Sequence, residues 1–160
     1  MEIFQAGKND IPLIIEVAEA TWRQTYASII SREQLDFMYE RSYTPEALTG
    51  QMDAGIHFLI CREADTVLGF VSYEFRIDTN GTSIIYVPKL YIKPDAQGRQ
   101  LGKSLLDEVE KIWKVHGCEC IELNVNRNNP ALHFYQKLGF FIHQTVDIPY
   151  DRFWLNDHVM

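Results

Sequence analysis

Residues 97–106, QGRQLGKSLL, contain the residue types that hold phosphate groups in many proteins. From Gly98 the segment is Gly-x-x-x-Gly-Lys-Ser, one residue short of the G-x-x-x-x-G-K-[ST] loop of nucleotide hydrolases. A full match would need glycine at position 97, where the sequence has glutamine. Three interpretations are possible: an altered nucleoside-triphosphate loop, a different phosphate-binding turn, or a helix start whose two glycines serve only turn flexibility.

The residues after the motif argue against a triphosphate loop. Such a loop normally follows an early strand of a parallel sheet and needs a later strand that ends in an aspartate for magnesium. Only CIELNV, residues 120–125, is a strand candidate at a suitable distance, and it has no terminal aspartate. The other two interpretations stay open on the motif alone, because the free N–H groups of a helix N-terminus bind a pyrophosphate without a metal.

The segments around the motif predict the elements that position it. HFLICRE, VLGFVSYEFRI and SIIYVPKLYI are rich in β-branched and aromatic residues and are separated by turn sequences, which predicts three antiparallel strands. Pro88 lies within the third of these strands, so we expect that strand to be distorted near its middle. After the motif, apolar residues recur at helical spacing from Leu101 to Trp113, and Gly117 ends the helix.

The remaining segments complete an α+β pattern. MEIFQA predicts a first strand, and three helices come after it, with starts at Asn9 or Asp10, at a Ser31 capping box and at Thr44. CECIELNVN predicts a strand, NNPALHFYQKLGF an asparagine-capped helix, and residues 140–146 and 153–160 two final strands. The prediction is an α+β fold, a single domain over residues 1–160 with a mixed, mostly antiparallel sheet of about seven strands and about four to five flanking helices.

Composition and charge exclude several classes of protein. A net charge of -7 argues against a nucleic-acid partner and slightly favours a cationic one. Three cysteines form neither a disulfide framework nor a zinc pattern, and the five histidines have no ligand spacing, so no metal is expected. The N-terminal residues do not resemble a signal peptide, and no segment approaches the ~18 apolar residues of a membrane span, so we expect a cytoplasmic protein with no membrane partner.

Two segments together resemble the signature of a known family. LYIKPDAQGRQLGKSLL, with NRNNPALHFYQKLGF later in the chain, is similar to the two signature segments of the GNAT superfamily of N-acetyltransferases. The first resembles [QR]-x-x-G-x-[GA], which holds the pyrophosphate of acetyl-CoA in that family; Gln97 and Gly102 match it, and Gln100 stands at its middle glycine. The second resembles N-x-x-A-x-x-F-Y-x-x-x-G-F and is matched throughout, at Asn128, Ala131, Phe134, Tyr135, Gly139 and Phe140.

The resemblance implies acetyl-CoA as cosubstrate in a gap between splayed fourth and fifth strands. Backbone groups of Leu90 and Ile92 are expected to contact the pantetheine and the developing oxyanion, and a bulge at Pro88 would help the strands diverge. The pyrophosphate is expected on Gln97, Gly98, Arg99, Gln100, Leu101, Gly102 and Lys103. Asn128 is expected to bind the pantetheine or to cap the following helix. If the backbone at Gln100 is already helical, its side chain can turn outward while its amide faces the ligand.

The resemblance also implies the reaction, a transfer of acetyl from acetyl-CoA to a primary amine by direct attack in a ternary complex. Tyr135 stands at the position of the family's tyrosine acid, which protonates the departing thiolate. A lysine-like amine costs about 4 to 5 kcal/mol to deprotonate at pH 7. Residues 84–92 contain no glutamate to serve as base, which leaves Glu74, Glu122 or a water chain. That absence also keeps open a second hypothesis, a non-catalytic acyl-CoA-binding module of the same fold.

The acceptor pocket is expected between the N-terminal helices and the last hairpin. Trp22, Tyr26, Phe153 and Trp154 are candidates to line it, because aromatic faces suit a cationic amine; the alternative is core and lid packing. The segment TWRQTYASIISREQLDFMY, residues 21–39, resembles polyamine- or small-amine-acetylating members. The acceptor is thus expected to be a small-molecule amine or a protein amine, and a homodimer is a further expectation.

Overall fold

A computed structural model describes residues 1–160, and its elements have the predicted order. The strands are β1 (Glu2–Gln5), β2 (His57–Glu63), β3 (Thr66–Ile77), β4 (Ser83–Ile92), β5 (Cys120–Asn126), β6 (Gln144–Tyr150) and β7 (Phe153–Val159). The helices are α1 (Ile11–Tyr26), α2 (Arg32–Tyr43), α3 (Pro45–Asp53), α4 (Leu101–His116) and α5 (Ala131–Lys137), and single 3-10 turns cover Lys8–Asp10 and Pro94–Ala96.

The seven strands form one sheet in the order β1-β2-β3-β4-β5-β7-β6. Every neighbouring pair is antiparallel except β4 and β5, which run parallel because α4 connects them. This confirms the predicted α+β fold with a mixed, mostly antiparallel sheet.

Alternating side chains on the strands give the sheet two apolar faces. On one face, Val71, Ile85 and Leu123 pack with residues of α4 such as Leu105. On the other face, residues of β2 and β3 such as Phe70 pack with α1, α2 and α3. The sheet therefore lies between two helical layers, and any passage between its strands connects the two sides of the molecule.

Strands β4 and β5 separate part-way along their length. They pair only from Ile84 opposite Cys120 to Val87 opposite Leu123. At that point the register of β3 and β4 shifts, and Val87 and Pro88 together lie opposite the single residue Tyr73. Proline has no N–H for the ladder, so a bulge is the conformation in which a strand accommodates it. The predicted distortion at Pro88 and the predicted splay of these strands are confirmed.

Two helix starts differ from the predicted capping. Ser31 Oγ accepts from Gln34 N at 3.1 Å, but the Gln34 side chain donates to the Trp154 carbonyl at 3.1 Å instead of returning to residue 31. Only one of the two hydrogen bonds of the expected capping box forms, because the Gln34 side chain connects α2 to β7 instead. Asp10 precedes α1, but its carboxylate accepts from Gly7 N at 2.8 Å and makes no cap bond to the helix.

The prediction of a strand over residues 140–146 was wrong in its bounds. β6 begins at Gln144 and continues to Tyr150, where pairing with Phe153 closes the hairpin. Residues 140–143 instead carry the chain from α5 to the edge of the sheet. Pro149 is tolerated inside β6 because β6 is an edge strand, with no ladder on its outer side.

Candidate active site

A cavity of about 890 Å³ occupies the gap between β4 and β5. It extends from the loop before α4, past α5, to the C-terminal end of α1. The predicted cofactor residues that line it are Leu90, Ile92, Gln97, Gly98, Gln100, Leu101, Gly102, Lys103, Asn128 and Tyr135. Two sequence segments that are distant in the chain therefore meet at one cavity.

The loop before α4 presents a run of unpaired backbone donors. The N–H groups from Gly98 to Lys103 donate to no acceptor in the protein, and the first bond into α4 is Ser104 N to Gln100 O at 3.0 Å. These donors lie at the positive end of the helix dipole and beside the cavity. The loop is therefore suited to hold a pyrophosphate.

The backbone at Gln100 is left-handed, with φ 60° and ψ 19°. The helical backbone that was considered as one possibility for this position is therefore not present. This position is the N-cap of α4, and the chain enters the helix through a conformation that glycine adopts freely and other residues adopt at about 1 kcal/mol or more. The Gln100 side chain makes no cap hydrogen bond that would offset this conformational cost.

Arg99 and Gln97 fix the loop through their side chains. Arg99 is the one predicted cofactor residue that does not line the cavity, since its guanidinium is paired with both carboxylate oxygens of Glu63 at 3.0 and 3.1 Å. Gln97 Nε2 donates to the Ile92 carbonyl at 3.2 Å. The loop is thereby tied to β2 and to the end of β4.

Gly102 lies where α4 and α5 approach each other closely. A Cβ atom at this position would be 3.1 Å from Phe134 Cζ, tighter than ordinary van der Waals contact. Glycine at this position therefore also serves helix packing, and a large substituent there would disturb the packing of α5 as well as any ligand.

Tyr135 is 8% exposed and lies between the rings of Phe134 and Phe140, at 5.2 and 5.8 Å between centroids. Burial raises the pKa of the Tyr135 phenol well above its ordinary value, so the hydroxyl is protonated at neutral pH and can donate a proton. The α5 cap is made by Asn129, whose Oδ1 accepts from Ala131 N at 3.0 Å. Asn128 lines the cavity, and its side chain does not cap α5.

The two carboxylates considered as bases lie in one row of the sheet, on either side of Tyr86. Glu74 is paired with Arg76, whose guanidinium stacks over the Tyr86 ring at 3.7 Å. Glu122 Oε2 is 3.6 Å from His143 Nε2. Both carboxylates therefore have partners, and neither lines the cavity.

Of the four aromatic residues predicted for the acceptor pocket, Tyr26 alone lines the cavity. Trp22 packs behind it at 4.5 Å between ring centroids and donates to the Leu35 carbonyl. The other two belong to the last hairpin: Phe153 packs on the ring of Phe37, and Trp154 is 58% exposed.

Tyr91 is a cavity residue that sequence reasoning missed. Its hydroxyl is 3.2 Å from the Tyr26 hydroxyl, and both side chains line the cavity at the end near α1. The strand alternation of Leu90, Tyr91 and Ile92 contained the signal, since it places Tyr91 on the α1 side when its neighbours face α4. Burial raises the pKa of both phenols, so they are neutral.

No group of three His, Cys, Asp or Glu side chains in the structure could hold a metal ion. None of its helices has the length and apolarity that crossing a membrane requires.

The chain is similar to known acetyltransferases over most of its length. Residues 15–140 match the family model described as the acetyltransferase (GNAT) family. A spermidine N(1)-acetyltransferase of Thermoplasma acidophilum is 34% identical over 151 residues, 91% of each chain. The chain belongs to the GNAT acetyltransferase family. The sequence-based assignment to that family and to the acyltransferases is confirmed.

Solved structures with the GNAT fold agree with this assignment. The PaiA N-acetyltransferase of Thermoplasma acidophilum, solved in complex with coenzyme A, has a TM-score of 0.76 and 31% identity, and the match covers 99% of this chain and 97% of that one. A GCN5-related N-acetyltransferase of Rhodopseudomonas palustris has a TM-score of 0.82 at 21% identity, over 99% and 92% of the two chains, and supports the fold alone.

Proposed function

We propose that this GNAT enzyme transfers the acetyl group of acetyl-CoA to a primary amine of a polyamine such as spermidine, by direct attack in a ternary complex. One observation carries the proposal. The cavity joins the unpaired N–H groups of the α4 loop to the neutral hydroxyls of Tyr26 and Tyr91 on the far side of the sheet. Donor and acceptor can therefore enter from opposite sides and meet in the gap.

The chain's own groups suit acetyl-CoA along the whole gap. The loop from Gly98 to Lys103 would hold the pyrophosphate through backbone N–H groups. Beyond Val87, the edge of β4 that faces β5 has no strand partner, so its backbone is available to an extended pantetheine arm. Asn128 lines the same stretch of the cavity and can hydrogen-bond that arm.

Catalysis then needs two groups near the splay. The acceptor attacks as the neutral amine after its ammonium proton has passed to solvent, and the N–H proton released as the amide forms also passes to solvent, which returns one proton to Tyr135. Acetyl-CoA supplies a thioester as the acyl donor. A backbone N–H of β4 near Leu90 stabilises the negative charge that develops on the acetyl oxygen. Tyr135, which is protonated at neutral pH, gives its proton to the sulfur as the thioester bond breaks, and a positioned acid of this kind contributes roughly 10²- to 10⁴-fold.

A polyamine acceptor is supported by relatedness and by the chemistry of the far end of the cavity. The relative that is 34% identical across 91% of this chain is named a spermidine N(1)-acetyltransferase. Tyr26 and Tyr91 offer ring faces and hydroxyl oxygens without charge, which suits an ammonium or amine group. The net charge of -7 favours approach of a cation.

The test measures CoA release from acetyl-CoA with a panel of acceptors: spermidine, an N-terminal peptide, a lysine peptide and free amino acids. Spermidine is expected to give the highest kcat/KM. Tyr135→Phe is expected to lower kcat by roughly 10²- to 10⁴-fold with acetyl-CoA affinity retained. Tyr150→Phe, which removes the phenol of an edge-strand tyrosine, is the matched control. Tight acetyl-CoA binding without CoA release from any amine would contradict the proposal.

A further inference from the structure

A carboxylate without a cationic partner lies beside the acceptor end of the cavity. Asp157 is on β7, opposite Asn126 of β5. Its Oδ2 accepts from Asn124 Nδ2 at 3.4 Å; Asn124 lines the cavity, and Asp157 lies next to it, just outside the lining. Asp157 also acts electrostatically on the Tyr26 phenol, which lines the same cavity.

The basic side chains near Asp157 form their hydrogen bonds with other residues. Arg127 binds Asp147 at 2.6 Å and the Val146 carbonyl at 2.7 Å. His158 Nδ1 lies 2.9 Å from Thr145 Oγ1. Asp157 therefore has an amide donor, Asn124, and no ion pair.

An unpaired, partly buried carboxylate is unfavourable for folding. Burial raises the pKa of Asp157, and the hydrogen bond from Asn124 and the nearby side chains of Arg127 and His158 oppose that effect only in part. The charge is compensated when a cation arrives beside it. Of the other two carboxylates of this region, Glu74 is paired with Arg76, and Glu122 lies 3.6 Å from the imidazole of His143.

We propose that Asp157 attracts an ammonium group of the acceptor to the part of the cavity that Asn124 and Tyr26 line, with Asn124 as its positioning residue. The inference rests on the proposed function, because it takes the acceptor to be a cationic amine. Asp157 contributes to the affinity for the acceptor, and neither Asp157 nor Asn124 takes part in binding acetyl-CoA.

The experiment compares Asp157→Asn with wild-type protein and with Asp151→Asn. Asp151 carries the same charge at the exposed turn of the same hairpin, and asparagine tolerates its positive φ of 54°. The readouts are KM for spermidine, KM for acetyl-CoA, and spermidine affinity by calorimetry in the presence of CoA. Asp157→Asn is expected to raise the spermidine KM and Kd about 10- to 100-fold, with KM for acetyl-CoA unchanged and Asp151→Asn equal to wild type.

Two results would overturn the inference: an unchanged spermidine affinity, or a loss confined to kcat. Its failure is separable from failure of the proposed function. Wild-type protein that acetylates other amines but not spermidine would refute a polyamine acceptor, and calorimetry of wild type and Asp157→Asn with the amine that is acetylated would then decide whether Asp157 binds ammonium. If Asp157→Asn does not fold, Asn124→Ala replaces it, and a rise in spermidine KM with kcat retained is again expected.

Discussion

Lys89 shows at the scale of a single residue how burial changes the chemistry of a side chain. It lies on β4 beside the Pro88 bulge, and its Nζ donates to Gln51 Oε1 at 2.6 Å near the rings of Tyr43 and Phe58, at 5.7 and 5.9 Å. Burial lowers the pKa of Lys89 to about 8, from 10.5. The folded protein therefore holds this proton less tightly than the unfolded chain does.

This shift predicts how stability depends on pH. Below pH 8 Lys89 carries its proton in both the folded and the unfolded state, and the cost of burying the charged ammonium is fully present. Between about pH 8 and 10.5 the unfolded chain binds more protons than the folded protein does, so the contribution of Lys89 to stability rises with pH. Lys89→Met should increase the free energy of unfolding by about 1 to 3 kcal/mol at pH 7, less at pH 10. Urea unfolding of both proteins at the two pH values measures this, and an equal difference at both would contradict the shift.

The backbone conformation of Gln100 allows a second prediction about a single residue. Its left-handed backbone should make Gln100→Gly more stable by about 1 kcal/mol, because glycine adopts φ 60° without steric conflict. Gln100→Ala, which keeps a Cβ atom, should leave the stability near that of wild type. Thermal unfolding of the three proteins distinguishes these outcomes; a glycine variant no more stable than the alanine variant would show that the backbone there is not strained.

At the scale of elements, the N-terminus of α4 is the part that should bind phosphate. Lys103 lies in its first turn and lines the cavity, paired with Asp107 at 2.7 Å. Lys103→Glu should weaken acetyl-CoA binding by roughly tenfold or more through like charge, while a carboxylate in the first turn of a helix preserves stability. Lys114→Glu, at the other end of α4, is the control. Equal acetyl-CoA affinity in both variants, measured by calorimetry, would place the pyrophosphate elsewhere.

Elements were predictable from the sequence where local chemistry determines them. Hydrophobic periodicity and Gly117 gave the bounds of α4, and Pro88 indicated the bulge that ends β4–β5 pairing. β6 was misplaced because its bounds depend on its pairing with β7, a long-range contact that residues 140–146 do not encode. The sequence left the backbone conformation of Gln100 open, since a glutamine gives no local sign of positive φ.

Only part of the candidate site was predictable from the sequence. The loop and Tyr135 lie in continuous motifs, so the sequence alone was enough to recognise them. Asp157 carries no motif, and it meets Asn124 only because β7 pairs with β5. Tyr91 could have been assigned by alternation along β4 once the adjacent residues were placed at the gap.

The whole molecule is a sheet with two chemically different sides joined by one gap. The α4 side presents unpaired N–H donors for an anionic group, and the α1 side presents neutral phenols with Asp157 nearby for a cationic one. Ligands of opposite charge can thus approach from opposite sides, and in the proposed reaction they meet at the splay beyond Val87. This arrangement supports the proposed direct attack in a ternary complex.

The most direct test is mass spectrometry of a reaction that contains the protein, spermidine and acetyl-CoA labelled in the acetyl group. Direct transfer to a polyamine predicts labelled monoacetylspermidine, with formation of product requiring both substrates together and no label on the protein when spermidine is omitted. Labelled protein before spermidine is added would contradict direct transfer, and unmodified spermidine after full incubation with acetyl-CoA bound would contradict the polyamine acceptor.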